Sequence, residues 1–194
     1  MNTAALSTPN RVRLLTAADV AALPRALPSG EVGYELHDGR LVVTSPHVAG
    51  HGRRQARFAA HLFLDGEKFG HGEAYARVEI LLRRDPDHLL CADAAFVTAA
   101  RLPARVSTEG FLLTVPDLVV EIRSKVDAGP EFPERIENYL SAGVALVWVA
   151  DPEARTVTAH RANQAPATFG PSDTLTALPV IPGFAVPVAE LLPT

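Results

Sequence analysis

PDLVVEIRSK, residues 116–125, is the stretch on which the fold turns. Leu118, Val119, Val120 and Ile122 place apolar bulk on both faces of an extended chain, as in a strand covered on two sides. Charges flank and interrupt that run. Asp117, Val119, Glu121 and Arg123 project from one face of such a strand. A carboxylate buried there without a partner is strongly disfavoured, so something must compensate these acids.

Two more acids lie in comparable settings. Asp93 joins LLCA to AAFV and so interrupts an apolar run of strand length, and Glu35 sits between Tyr34 and Leu36. Acids placed this way are either paired with arginines or gathered around a divalent cation. Carboxylate and carbonyl oxygens are the ligands Mg²⁺ prefers, with water completing the octahedron. The residues alone leave both explanations open.

Outward from these strands, the element order is readable. Thr16 caps a short helix that ends before Pro24 and Pro28. Tyr34–His37 and Leu41–Thr44 flank Asp38-Gly39, a hairpin signal. A helix starts near His51, with Phe58, Ala59, Leu62 and Phe63 as its buried stripe, and ends before Gly70. Strands follow over residues 74–82, 93–97 and 118–122. Pro130 then opens a second helix that Gly143 stops. Strands over residues 145–150 and 156–161 come next, and the proline-rich remainder reads as a strand, a turn and a short helix. One α/β domain over residues 1–194 results, a mixed sheet with helices, preceded by a loose tail over 1–12.

Composition limits the function. The 194 residues are 47% hydrophobic and 21% charged, enough for one sizeable core. The lone cysteine, Cys91, excludes an internal disulfide and reads as an inert buried thiol in a reducing compartment. No run approaches the ~20 apolar residues of a membrane span, and no signal peptide opens the chain, so a cytoplasmic protein is expected. A net charge of −4 offers no global attraction for nucleic acid. Arg53, Arg54 and Arg57, or Arg83 and Arg84, would serve as a local patch or merely as a solvated face. P-loop, dinucleotide-glycine, CxxC and HExxH patterns are absent, and Ser124 lacks a hydrolase elbow.

The second helix carries Phe132, Ile136, Tyr139 and Leu140 as an apolar stripe, with Arg135 lying on it. That arginine either snorkels at the stripe's edge or belongs to the acids.

YELHDGRLVVTSP, the following HG and its helix, ADAAFV, PDLVVEIRS and RIENYLSAGVALVWVADPEARTVTAHR together resemble the Uma-two family. That group is assigned to the restriction-endonuclease-like PD-(D/E)XK superfamily, and the likeness runs over residues 33–160. It implies an αβββαβ core, here with an added N-terminal β-hairpin. It further implies a Mg²⁺-dependent endonuclease, with Mn²⁺ as a substitute, that hydrolyses phosphodiester bonds in DNA. Asp93 and Glu121 would hold the metal with the main-chain carbonyl of Ile122. Glu35, and with it His51 and Asp117, would line the same pocket. A homodimer follows by analogy, since paired nuclease domains cut two strands.

The chain departs from that pattern at one chemical position. Arg123 stands two residues after Glu121 where the superfamily signature has lysine, and Arg135 stands where the family often carries a helix lysine. An arginine keeps its proton, so either residue would orient water or stabilise phosphate without acting as a base. Lys125 lies about 13 Å past Glu121 on an extended chain. The competing function is therefore a nuclease-fold module that binds nucleic acid or protein without cutting.

Overall fold

A computed structural model describes residues 13–28, 30–44, 48–124 and 131–193. The expected tail over 1–12, the helix start at Pro130 and Lys125 lie outside the described residues.

The elements run α1 (Ala17–Ala21), β1 (Ala26–Leu27), β2 (Gly30–Glu31), β3 (Gly33–His37), β4 (Arg40–Thr44) and α2 (Ala49–Asp65). They continue through β5 (Gly72–Arg83), β6 (His88–Thr98), β7 (Leu118–Ile122), α3 (Glu131–Ser141), β8 (Leu146–Asp151) and β9 (Thr156–His160). The chain closes with β10 (Ala167–Phe169), β11 (Thr174–Ala177), β12 (Ile181–Pro187) and α4 (Val188–Leu191). Thr16 caps α1 through the amide of Asp19, whose carboxylate returns the bond, so the short helix is fixed at its start.

One eight-stranded sheet carries the order β10-β9-β8-β7-β6-β3-β4, with β5 also paired to β6. β7 and β8 are parallel, and the other neighbours in this sheet run antiparallel. The crossover between the parallel pair is α3, as a parallel connection requires. The run α2-β5-β6-β7-α3-β8 is thus the αβββαβ core, and β3–β4 is the added hairpin.

Two apolar layers cover the sheet. One joins Phe58 and Leu62 of α2 to Leu118, Val120 and Trp148, and β12 and α4 seal it with Phe184 and Leu191. The other packs Tyr139 of α3 on Val119, Val147, Val149 and Ala95. Leu118–Ile122 is buried throughout, because alternate residues feed opposite layers.

Two expectations are corrected. Phe63 is exposed, since the stripe of α2 is set by His51, Phe58 and Leu62, and a position next to Leu62 falls about 100° round the helix. The closing segment holds strands β10, β11 and β12 as well as a helix; proline at both ends of β12 had masked its alternation of buried Phe184 and Val186.

Candidate functional site

β6 pairs with β7 only from Ala94 to Phe96, opposite Val120 to Leu118. Beyond that the two strands part, and Asp93 stands in the gap. Its Oδ2 accepts the main-chain N–H of Ile122 at 2.8 Å, which stands in for the missing ladder bond. Local packing marks the same place. Leu90 and Ala92 face the α3 layer, whereas Ala94 and Phe96 face the α2 layer, so the alternation of β6 breaks at Asp93. The alanines around Asp93 leave room for α2, which brings His51 Nε2 to 2.8 Å and Gln55 Nε2 to 3.3 Å of Asp93 Oδ1. These two residues are four apart and share one helix face.

Glu121 approaches from β7. Its Oε1 accepts from the Tyr139 hydroxyl at 2.6 Å and from Arg135 Nε at 2.9 Å. Arg135 continues through Nη1 to Glu35 Oε2 at 2.8 Å and through Nη2 to the Cys91 carbonyl at 2.6 Å. Glu35 is further held by the Cys91 N–H at 2.9 Å and by His37 at 3.3 Å. A planar guanidinium serves three acceptors in one plane, which a lysine ammonium would do less well.

The buried carboxylates outnumber the guanidinium groups that bond them. Asp93, Glu121 and Glu35 are 5%, 6% and 4% exposed, and Arg135 is the guanidinium bonded to two of them. Burial pushes Glu121 up to about 7, and Asp93 adds to this against the pull of Arg135 and Tyr139. Burial would also raise Glu35, but Arg135 and the bonds from His37 and Cys91 outweigh it and hold Glu35 at about 2. Burial works against the charge of Arg135 as well, yet Glu121, Tyr139 and Glu35 keep it protonated far into the alkaline range.

These opposite shifts set the dependence of metal-free stability on pH. Glu35 stabilises the fold fully above its unfolded value near 4.5, and that contribution is lost as pH falls through about 2. Glu121 binds a proton more tightly folded than unfolded, so stability falls as pH rises from about 4.5 to about 7. Each shift corresponds to about 3 kcal/mol. Urea unfolding in a chelator should therefore show maximal stability near pH 5 and a decline of up to about 3 kcal/mol by pH 8. Glu121→Gln should flatten that decline; an unchanged slope would assign it to another group.

Not every expected residue comes together here. Glu35, Asp93, Glu121, Arg135 and His51 do. Asp117 does not: it lies four residues, about 13 Å, back along β7 and binds Thr98 and Arg101 instead. Arg123 is also outside, bonded to Asp151 at 3.1 Å and lying over the Phe132 ring. Its N–H still donates to the Ala150 carbonyl at 2.8 Å, continuing the pairing of β7 with β8, but its side chain turns to Asp151. Arg54 and Arg57 bind the carbonyls of Gly50 and Glu190, and Arg53 projects about 200° round α2 from His51. Sequence reasoning missed Gln55 and Tyr139. The spacing His51–Gln55 was a usable signal; Tyr139 was indistinguishable from a core aromatic.

Among the described residues no three His, Cys, Asp or Glu side chains form a ready metal cluster. The donor set nonetheless suits Mg²⁺, which commonly takes one or two carboxylates and keeps several waters. Asp93 and Glu121 supply two, and their excess negative charge is what a divalent ion would relieve. Cys91 is partly buried rather than the fully buried thiol expected, and burial and Glu35 push its thiol up to about 12. No described helix is long and apolar enough to cross a membrane.

A family model named Uma2 and described as "Putative restriction endonuclease" matches residues 19–189. A crystal structure described as a "putative nuclease belonging to DUF820", from Anabaena variabilis, matches with a TM-score of 0.73. That match covers 90% of this chain and 96% of the other at 18% identity, a likeness of fold. No curated protein matches.

Proposed function

This chain belongs to the Uma2 family, and from that premise we propose that it is a divalent-cation-dependent nuclease hydrolysing phosphodiester bonds in DNA. The observation that carries the reading is the meeting of Asp93 and Glu121 where β6 and β7 part, two buried carboxylates with more negative charge than Arg135 offsets.

Asp93, Glu121 and the Ile122 carbonyl would hold Mg²⁺ or Mn²⁺. Bound there, the ion would supply Lewis-acid stabilisation of phosphate charge and a more acidic water. The protein's own contribution is positional. The Ile122 N–H, His51 and Gln55 fix the Asp93 carboxylate. Tyr139 and Arg135 both bond Glu121 through Oε1. Glu35 anchors Arg135 from the opposite side, so the guanidinium keeps one orientation.

One observation favours a second reading, a nucleic-acid-binding module that does not cut. The sequence holds two lysines, Lys68 and Lys125. Lys68 lies in the turn after α2, and the position beside the acids belongs to Arg135, which cannot give up its proton. The nuclease reading, by contrast, needs solvent or substrate phosphate as the base.

Titration calorimetry with Mg²⁺ and Mn²⁺, followed by incubation with single- and double-stranded DNA, tests the proposal. Binding should release protons, and more per ion at pH 6 than at pH 8, because Glu121, raised by burial, must ionise. The measured enthalpy should accordingly vary with the ionisation enthalpy of the buffer. Absence of divalent binding would sink the nuclease reading; binding without cleavage would select the module.

A further inference from the structure

We propose that Arg77 binds the nucleic-acid backbone beside this acidic cluster, through its guanidinium and a phosphate oxygen pair. The inference rests on the nuclease reading and names a residue that the acids and Arg135 do not include.

The pairs Ala76↔Ala94 and Val78↔Ala92 place Arg77 opposite Asp93, yet the ladder skips it. Its φ is 42°, in the left-handed region that side-chain-bearing residues seldom occupy. Strain of this kind persists only where the surroundings impose it, and it concentrates at working sites. The break in the alternation of β6 at Asp93 and the strained residue of β5 thus face each other.

The side chain reaches toward the hairpin. Its Nη2 lies 3.8 Å from where a Cβ on Gly33 would stand. Gly33 and Glu35 are two apart in β3 and share a face, so the guanidinium is on the Glu35 side of the hairpin. Such a Cβ would also collide with Thr44 Oγ1, which keeps that space clear of a side chain.

Arg77 is exposed, and among the described residues no carboxylate pairs with it. Arg25, Arg83, Arg101, Arg123 and Arg135 each hold an acid. A phosphate diester nearing Asp93, Glu121 and Glu35 meets net repulsion. An exposed cation beside them offsets it, and a guanidinium fork matches two phosphate oxygens.

Arg77→Gly removes the charge while relaxing the backbone, and Arg77→Lys keeps the charge without the fork. The probe is a fluorescently labelled duplex oligonucleotide, and separately one of its strands, titrated in Ca²⁺ over a range of salt. Arg77→Gly is expected to melt at or above the wild-type temperature and to bind Mg²⁺ like wild type. Its dissociation constant should rise about tenfold, the effect of one lost charge-assisted contact. The slope of log affinity on log salt should shallow by about 0.9 for duplex or about 0.7 for single strand. Arg77→Lys should fall between the two proteins. Wild-type affinity and slope in Arg77→Gly would overturn the proposal, as would a lowered melting point with loss of Mg²⁺, which would make Arg77 structural. Failure of the wild type to bind either oligonucleotide would overturn the nucleic-acid reading itself, and this inference with it.

Discussion

Asp93→Ala should bind neither Mg²⁺ nor Mn²⁺ and should cleave DNA at least about a thousandfold more slowly than wild type, a loss of about 4 kcal/mol in transition-state stabilisation. Two consequences of the substitution must be separated. Alanine removes a ligand charge, and it also removes the acceptor of the buried Ile122 N–H, which costs about 1–3 kcal/mol of stability. Asp93→Asn divides them. Its side-chain carbonyl still accepts the Ile122 N–H while the charge is gone, but its amide nitrogen replaces the oxygen that His51 and Gln55 address, so its metal-free unfolding should fall between wild type and Asp93→Ala. Its divalent binding should be lost all the same. If Asp93→Asn binds Mg²⁺ as wild type does, Asp93 is a structural cap on the parted strands and the metal reading fails.

The sequence announced the strands better than the site because the two depend on different ranges of information. Leu118–Ile122 alternates between two apolar layers, and local composition is enough to place it in a covered sheet. The hairpin at Asp38-Gly39 and the cap at Thr16 are likewise local chemistry. Asp117 and Arg123 were drawn toward the site by strand parity alone. Parity fixes a face but not a depth along the strand, nor the partner to which a long side chain turns. Arg135 was different: its place on the apolar stripe of α3 marked it as inward-facing, and the structure gives it Glu121, Glu35 and the Cys91 carbonyl. Tyr139 and Gln55 became visible only once the tertiary contacts to Glu121 and Asp93 were known. Of the two explanations open in the sequence, arginine partners account for part of the acids. Arg135 pairs with Glu35 and Glu121, whereas Asp93 is held by the Ile122 N–H, Gln55 and His51 and has no arginine partner among the described residues.

Arg135→Ala should therefore lower metal-free stability by about 3–5 kcal/mol at pH 8, the range for removing one partner of a buried ion pair. Glu35 and Glu121 would both lose their guanidinium while remaining almost wholly buried. The loss should be smaller near pH 5, where Glu121 already carries its proton. Added Mg²⁺ should restore part of it, since any ligand of the folded state alone stabilises that state. Arg135→Lys should unfold between the two proteins, because one ammonium cannot span Glu121, Glu35 and the Cys91 carbonyl as a fork does. That variant also places a titratable amine against the acids. If the reaction benefits from such a group, Arg135→Lys should cleave at least as fast as wild type despite its lower stability, with a rising limb in its pH–rate profile. Wild-type unfolding in Arg135→Ala would reduce the arginine to a packing cation. A lysine variant that binds Mg²⁺ and DNA yet cuts neither single nor double strands would show that the missing proton acceptor is not the only defect, and the binding module would become the better account of the fold.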